Sequence, residues 1–318
     1  MNNLKKIGLT ALAGSLVATS VAYSGELAVS GSAGMNFKNY SDSSTGKAVR
    51  MGNSVFFKGS GETDGGLNVS LSYELDQGTP AGDGPFDSHF VSVGNDTLGT
   101  LTVHGHGGAN SAAALDTTAA GDLWDNTLMT TTGTYAVRFS PLSATSGDNL
   151  MVYTLPTLVD GLAVAGSYQA ANTTGSGSTA LGVTYSGIEG LSLSYGQGSS
   201  DDVKDIAGDQ TIMKASYAYG PITVAASNND FDHTTSTIDQ EVSSVSLSYT
   251  VSDQISVSYG EETIDRSGQT TDIEVNGVSI SYTSGGMTAS FAQVEAENVD
   301  HTAGLDKEVW NIGLSFAF

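Results

Sequence analysis

The sequence has no cysteine, only five prolines, only eleven lysines and arginines, and no apolar stretch long enough for a membrane helix. Each shortage removes a class of protein. Without cysteine there is no disulfide framework and no thiolate redox or metal chemistry. With few basic residues against 34 Asp and Glu, the chain cannot neutralise a phosphate backbone, which excludes nucleic acid as a partner. A helix that crosses a bilayer needs about 20 mostly apolar residues, so any crossing must be made by strands, which a scarcity of proline leaves uninterrupted.

What the chain has instead is glycine (40 residues), serine and threonine, with apolar residues scattered singly. At the N-terminus, Lys5 and Lys6 precede an apolar stretch from Ile7 to Val17, followed by Ser20, Val21 and Ala22. This is the pattern of a secretory signal peptide over residues 1–22. Cleavage after Ala22 fits the small-residue rule, as does cleavage after Ser24. The alternative, an N-terminal anchor, suffers from an apolar stretch too short and too rich in Gly, Ser and Thr. Removing residues 1–22 takes two lysines with it. Residues 23–318 then hold nine basic residues against 34 acidic ones, hence a formal charge of −25. Such a surface attracts cations, or anionic lipid bridged by divalent metal.

The strongest pattern has period two. Leu191, Ser192, Leu193, Ser194, Tyr195 places the apolar residues and the tyrosine on one face and the serines on the other. The phrase returns at Leu71–Tyr73, Val245–Tyr249, Ile255–Tyr259 and Val278–Tyr282. Segments of about ten residues suit a tilted strand crossing a bilayer, whereas globular strands average about five or six. A tyrosine closing the apolar face sits naturally at the headgroup level. This reading predicts strands at 26–38, 50–62, 66–76, 86–94, 98–107, 149–156, 161–170, 179–187, 190–198, 210–219, 221–229, 241–251, 254–264, 273–283, 286–296 and 308–318. Sixteen antiparallel strands, joined alternately by short turns and longer polar loops, predict an all-β transmembrane barrel. Residues 108–148 form one long excursion. Thr134 to Ser140 inside it also alternates, but counting it as a strand would put the termini on opposite sides of the membrane, so it is assigned to the loop.

At this point the chain resembles the general porins of Gram-negative bacteria, in particular the alphaproteobacterial type. The resemblance is carried by Gly25 through Gly31, by Phe90–Val93 leading through Leu98–Val103 into the long third loop, and by the last strand, Val309 to Phe318. It implies an outer-membrane homotrimer of water-filled channels for passive diffusion of small hydrophilic solutes, each narrowed by a third loop folded into its lumen. It implies also that the assembly machinery reads the terminal Phe318. The short acidic signature usual in that loop is not apparent here.

In such porins loop carboxylates face basic wall residues across the lumen. The loop offers Asp116, Asp122 and Asp125. The wall offers Lys38, opposite in parity to Met35 and Phe37; Arg50 and Lys58, opposite to Met51, Val55 and Phe57; and Lys214, opposite to Met213 and Ala215. Arg138 belongs to either group, and Trp124 and Asn126 are read as anchors of the loop to the wall. His104 and His106 share the lumen face of the fifth strand. A His-x-His pair can ligate zinc, but no third ligand accompanies it, so no metal is assigned. The carboxylate pairs Asp230–Asp232, Asp201–Asp202 and Glu261–Glu262 are read as solvated loop charge, with calcium at the rim as the other reading. No cofactor is expected, and the net charge predicts cation preference. A barrel enzyme would show a nucleophile or paired carboxylates with a histidine, which the five histidines do not provide. A secreted adhesin would need neither Phe318 nor tyrosine belts. A substrate-selective channel would line its lumen with aromatics, and here these mostly share the lipid-facing parity.

Overall fold

The computed structural model describes residues 25–41, 47–76, 86–124, 147–170, 177–201, 207–234 and 239–318. The predicted signal peptide, Asp125, Asn126, Arg138, the 134–140 segment and Asp202 lie outside these residues. Sixteen strands form one closed antiparallel barrel, each paired with its neighbours in sequence and the first with the last. They are β1 (Glu26–Tyr40), β2 (Lys47–Glu62), β3 (Asn68–Asp76), β4 (Ser88–Asn95), β5 (Gly99–His106), β6 (Leu150–Thr154), β7 (Leu162–Gln169) and β8 (Ser178–Ile188). The second half comprises β9 (Leu191–Ser200), β10 (Gly208–Tyr219), β11 (Ile222–His233), β12 (Gln240–Ser252), β13 (Ile255–Arg266), β14 (Ile273–Ser284), β15 (Met287–Glu297) and β16 (Lys307–Ala317). Closure leaves no naked strand edge, a requirement in lipid because an unpaired N–H or C=O there has no water to bond.

Alternation decides which face is outside. Leu27, Val29, Met35, Met51, Leu193, Val224, Leu247, Val278, Ile280 and Ile312 are exposed on the outer wall. The intervening serines pair across strands on the inner one: Ser70 with Ser92, Ser256 with Ser281, Ser258 with Ser279. The seam closes at the last residue, where the Gly31 N–H donates to the Phe318 carbonyl (2.7 Å) and the Phe318 N–H to that of Gly31 (3.0 Å). The Phe318 ring stays exposed on the outer wall, 75% accessible.

Toward the long-loop ends of β12–β16 the polarity of the two faces reverses. On β12, Val245, Leu247 and Tyr249 point out, but three residues further up Val242 points in and is buried. The same one-residue change of phase separates Tyr259 from Ile264, Val278 from Val275, Phe291 from Val294 and Ile312 from Val309. These inward residues, with Ile273, Ala296, Val299 and Trp124, form the apolar cluster of the molecule inside the barrel mouth, against which Leu123 and Tyr40 pack. Full burial of each large side chain contributes on the order of 1.5–3 kcal/mol.

The outer face at that level is acidic. Asp209, Asp230, Asp232, Glu241, Glu261, Asp265, Glu274, Glu295, Glu297 and Glu308 carry the outward parity of β10–β16. Several face one another directly: Asp230 with Glu241, Glu241 with Asp265, Glu274 with Glu297, Glu295 with Glu308. Carboxylates on hydrocarbon would be costly, so the edge of the apolar medium lies below them. Tyr259 marks that edge, its hydroxyl donating to Glu261 at 2.6 Å. The barrel thus continues past the bilayer as an acidic collar with an oily lining.

Candidate channel and its constriction

The segment after β5 turns inward because the wall is built to receive it. Gly182 on β8 and Gly260 on β13 take lumen-facing positions where a Cβ would stand 2.3 Å from the Ser111 carbonyl and 2.6 Å from the Ala120 methyl. Only glycine allows so close an approach. Asn110 starts the segment, its side-chain oxygen accepting from the N–H groups of Ala112 (3.0 Å) and Ala113 (2.8 Å) to set a single 3₁₀ turn, Ala113–Leu115.

A strand-free segment carries backbone groups that must find partners, and here they find the inner wall. The Ser111 N–H donates to Ser167 Oγ on β7 (2.9 Å), Ala119 to Ser227 Oγ on β11 (2.8 Å), and Ala120 to Ser244 Oγ on β12 (2.9 Å). Lys214 Nζ on β10 donates to the Thr117 carbonyl (2.6 Å), and Asn229 Nδ2 to the Asp116 carbonyl (2.5 Å). Glu262 on β13, 1% exposed, takes the most: Thr118 Oγ1–H at 2.5 Å, Leu123 N–H at 2.9 Å and Trp124 N–H at 3.0 Å. Three donors converge on this one side chain, more than on any other wall group that holds the described part of the segment. Trp124 then enters the apolar cluster.

The sequence-predicted residues fall into separate places. Asp122 does not stand free. Its carboxylate accepts from the Thr118 N–H (2.7 Å) while its own N–H donates to Thr118 Oγ1 (2.8 Å). Burial pushes its pKa above the ordinary aspartate range, against the Thr118 hydrogen bonds and the positive charge of Lys214, which act the other way. Asp116 meets the wall through its carbonyl. Lys214 shares the anchored side of the lumen with both.

Lys38 and Arg50 lie elsewhere, as diagonal neighbours on β1 and β2: Asn36 faces Arg50 and Lys38 faces Ala48. Lys58, further down β2, sits with Nζ 5.4 Å from the centre of the Phe56 ring. His104 leans on Phe90 (ring centres 5.4 Å apart). His106 Nδ1 lies 2.5 Å from Asp148 Oδ1 and so joins the two ends of the long excursion, beside the bond from Gly108 N–H to the Gly147 carbonyl. Among the described residues one trio has carboxylate oxygens close enough for a cation, Glu74, Asp76 and Asp87, all within 4.8 Å of one another.

Reading the sequence missed Glu262, Ser227, Ser244 and Asn229. Sequence alone pairs Glu262 with Glu261 as solvated loop charge, but the pleat sends the two to opposite faces. Its signal was there: a carboxylate in line with Ser256, Ser258 and Gly260, on the face where the chain otherwise places small residues.

A sixteen-stranded barrel with oily wall, polar bore and a loop pinned inside is the architecture of an outer-membrane diffusion channel. The family model for Gram-negative porins matches residues 8–302, and the chain belongs to that family. No curated protein matches it. Among solved structures it is similar to in-vitro folded OmpT, an outer membrane protein of Vibrio cholerae, in its trimer form (15% identity, TM-score 0.68, covering 93% of this chain and 100% of that one). It is similar also to an anion-selective porin from Comamonas acidovorans (14%, 0.66, 92% and 100%) and to a mutant of the Rh. blastica porin (14%, 0.64, 92% and 100%). At such identities the likeness concerns the fold. Family and fold make the protein an outer-membrane channel for passive diffusion rather than an enzyme.

Proposed function

We propose that the pinned segment is the constriction of this channel, that the channel prefers cations, and that it works as a homotrimer. The single observation that carries the first point is Glu262, which draws three donors of the 118–124 stretch onto the inner wall. The cation preference has its source in the collar. Its carboxylates lie outside the bore, so they act by concentrating cations at the mouth rather than by lining the path. Trimer formation is supported by the unequal wall. β6 has five residues and β4, β5 and β7 eight each, against 12 or 13 in β10–β14. Five residues rise about 17 Å at 3.3 Å each, less than an apolar band of about 25 Å, so the short wall calls for a covering copy. Further partners in this reading are outer-membrane lipid and lipopolysaccharide, bridged to the collar by divalent cations, and the assembly machinery that reads Phe318.

Reversal potentials in planar bilayers test this. A collar acts through solvent and is screened as the Debye length falls from about 10 Å at 0.1 M salt to about 3 Å at 1 M. Cation preference should therefore be clear at 0.1 M and weak at 1 M. Anion preference at low salt would overturn the assignment, and a non-conducting bilayer would overturn the channel itself.

A further inference from the structure

The constricting segment is tied to β7 and β10–β13, and the apolar cluster fills the mouth beside β12–β16. Among the described residues no bond of the constricting segment reaches β16, β1 or β2, and below Val309 and Tyr40, where the apolar cluster ends, a recess of about 480 Å³ opens on their inner wall. Its floor follows from three successive inward rows. Ser32 and Ser54 form the first, with Asp76 beside Ser54; Gly34 and Gly52 the second; Asn36, Gly313 and Arg50 the third. The middle row has no side chains on β1 and β2, which makes the wall concave. A Cβ at Gly52 would meet nothing within 4 Å. Its polar lining is hydroxyl and amide, from Ser32, Ser54, Ser290, Ser315, Asn36 and Asn311, beside the apolar Ala33, Met35 and Leu314.

The two ends of the recess differ in sign. At one stand Asp76 and, with carboxylate oxygens within 4.8 Å, Glu74 and Asp87. At the other stands Arg50, with Lys38 diagonal to it and facing Asn311. From the Asp76–Ser54 row to the Arg50 row is four residues, about 13 Å of strand. Asp and Arg side chains reaching inward shorten that gap. An extended dipeptide places its terminal charges about 7 Å apart, which suits the remaining span, and its peptide group would lie over the glycine floor among the serines and amides.

We propose that this recess is a binding subsite for zwitterionic dipeptides, with the ammonium toward Glu74, Asp76 and Asp87 and the carboxylate toward Arg50 and Lys38. The proposal rests on the channel reading and names a solute class for it. The polarity the solute meets runs along the wall from β3 to β2 and β1, instead of from loop to wall. Asp122, held by Thr118 and turned to Lys214, belongs to the opposite side of the bore.

The test is liposome swelling with trimeric protein, comparing dialanine with its neutral blocked analogue N-acetylalanine N-methylamide at pH 7. Wild-type channels should admit dialanine about fivefold faster, the scale of two solvent-screened ion pairs. Asp76→Asn and Arg50→Gln should each reduce that ratio and together abolish it, with potassium chloride conductance confirming that both variants form pores. Gly52→Gln, which fills the floor without strain, should slow dialanine more than the blocked analogue. Equal rates in wild type, or a ratio that survives both charge substitutions, would overturn the subsite while leaving the channel intact. Liposomes that swell in neither solute would overturn the channel reading, and the subsite with it.

Discussion

The lower and upper portions of β12–β16 are one continuous sheet whose two faces trade chemistry part-way up. Below the Tyr259 level the outside is oily and the inside hydroxylated; above it the outside is anionic and the inside oily. The backbone is the same in both. What differs is the medium each face meets, so the hydrophobic effect selects opposite faces at different heights. A membrane strand that outgrows its membrane becomes an ordinary soluble one, with its apolar side turned inward.

A charge placed at two heights on the outer face should break the symmetry most strongly. Leu247→Arg, within the oily band, is expected to destabilise the barrel by about 2–4 kcal/mol. Glu241→Arg, three outward positions higher on the same strand, gives up the exposed bond it accepts from Asn228 but relieves the opposition of Asp230 and Asp265, and should cost no more than about 1 kcal/mol. Urea unfolding in lipid vesicles reads both, and equal losses would show that the bilayer covers the collar as well.

The inner face offers a sharper, smaller contrast. In Glu262→Gln an amide donor must meet backbone N–H groups, leaving one of them unbonded at a cost of about 1–3 kcal/mol. Because the affected bonds hold the loop and not the sheet, open-channel current should rise and become noisier while barrel unfolding stays where it was. Unchanged current in a folded Glu262→Gln trimer would deny Glu262 its positioning role.

The smallest effect is expected at Asp122. Burial raises its pKa, so the folded loop favours the neutral acid; its contribution to stability is complete at low pH and declines as pH climbs through the raised value. Asp122→Asn keeps the oxygen that accepts from Thr118 and removes the burial cost of charge. Protease nicking of the loop should be slower than wild type at neutral pH and equal to it in acid. A difference that persists in acid would point to some cause other than titration.

Much of this was legible in the amino acids, because period two reports directly on a sheet between unlike media. The sixteen predicted segments coincide with the sixteen strands, mostly within two residues at either end. Strand β11 runs on to His233 past a predicted end at 229, since Asp230 and Asp232 on its outer side read as loop when an oily exterior is assumed. The collar escaped for the same reason, although its mark is visible as an odd spacing, Val242 to Val245 or Val275 to Val278, where even spacing would continue one face. Lys38, Arg50 and Lys214 could be given a face from their neighbours, but not a partner. The Thr117 carbonyl that Lys214 holds is 97 positions away, and the path of a loop without period carries no local trace of where it lands.

The bond between Gly31 and Phe318 sets a rule of timing. The first strand made waits for the last, and until residue 318 arrives the sheet has two open borders ready to stick to any extended chain. A polypeptide of this design cannot settle into shape strand by strand as it emerges; it has to be kept from its neighbours until its first and sixteenth strands can meet.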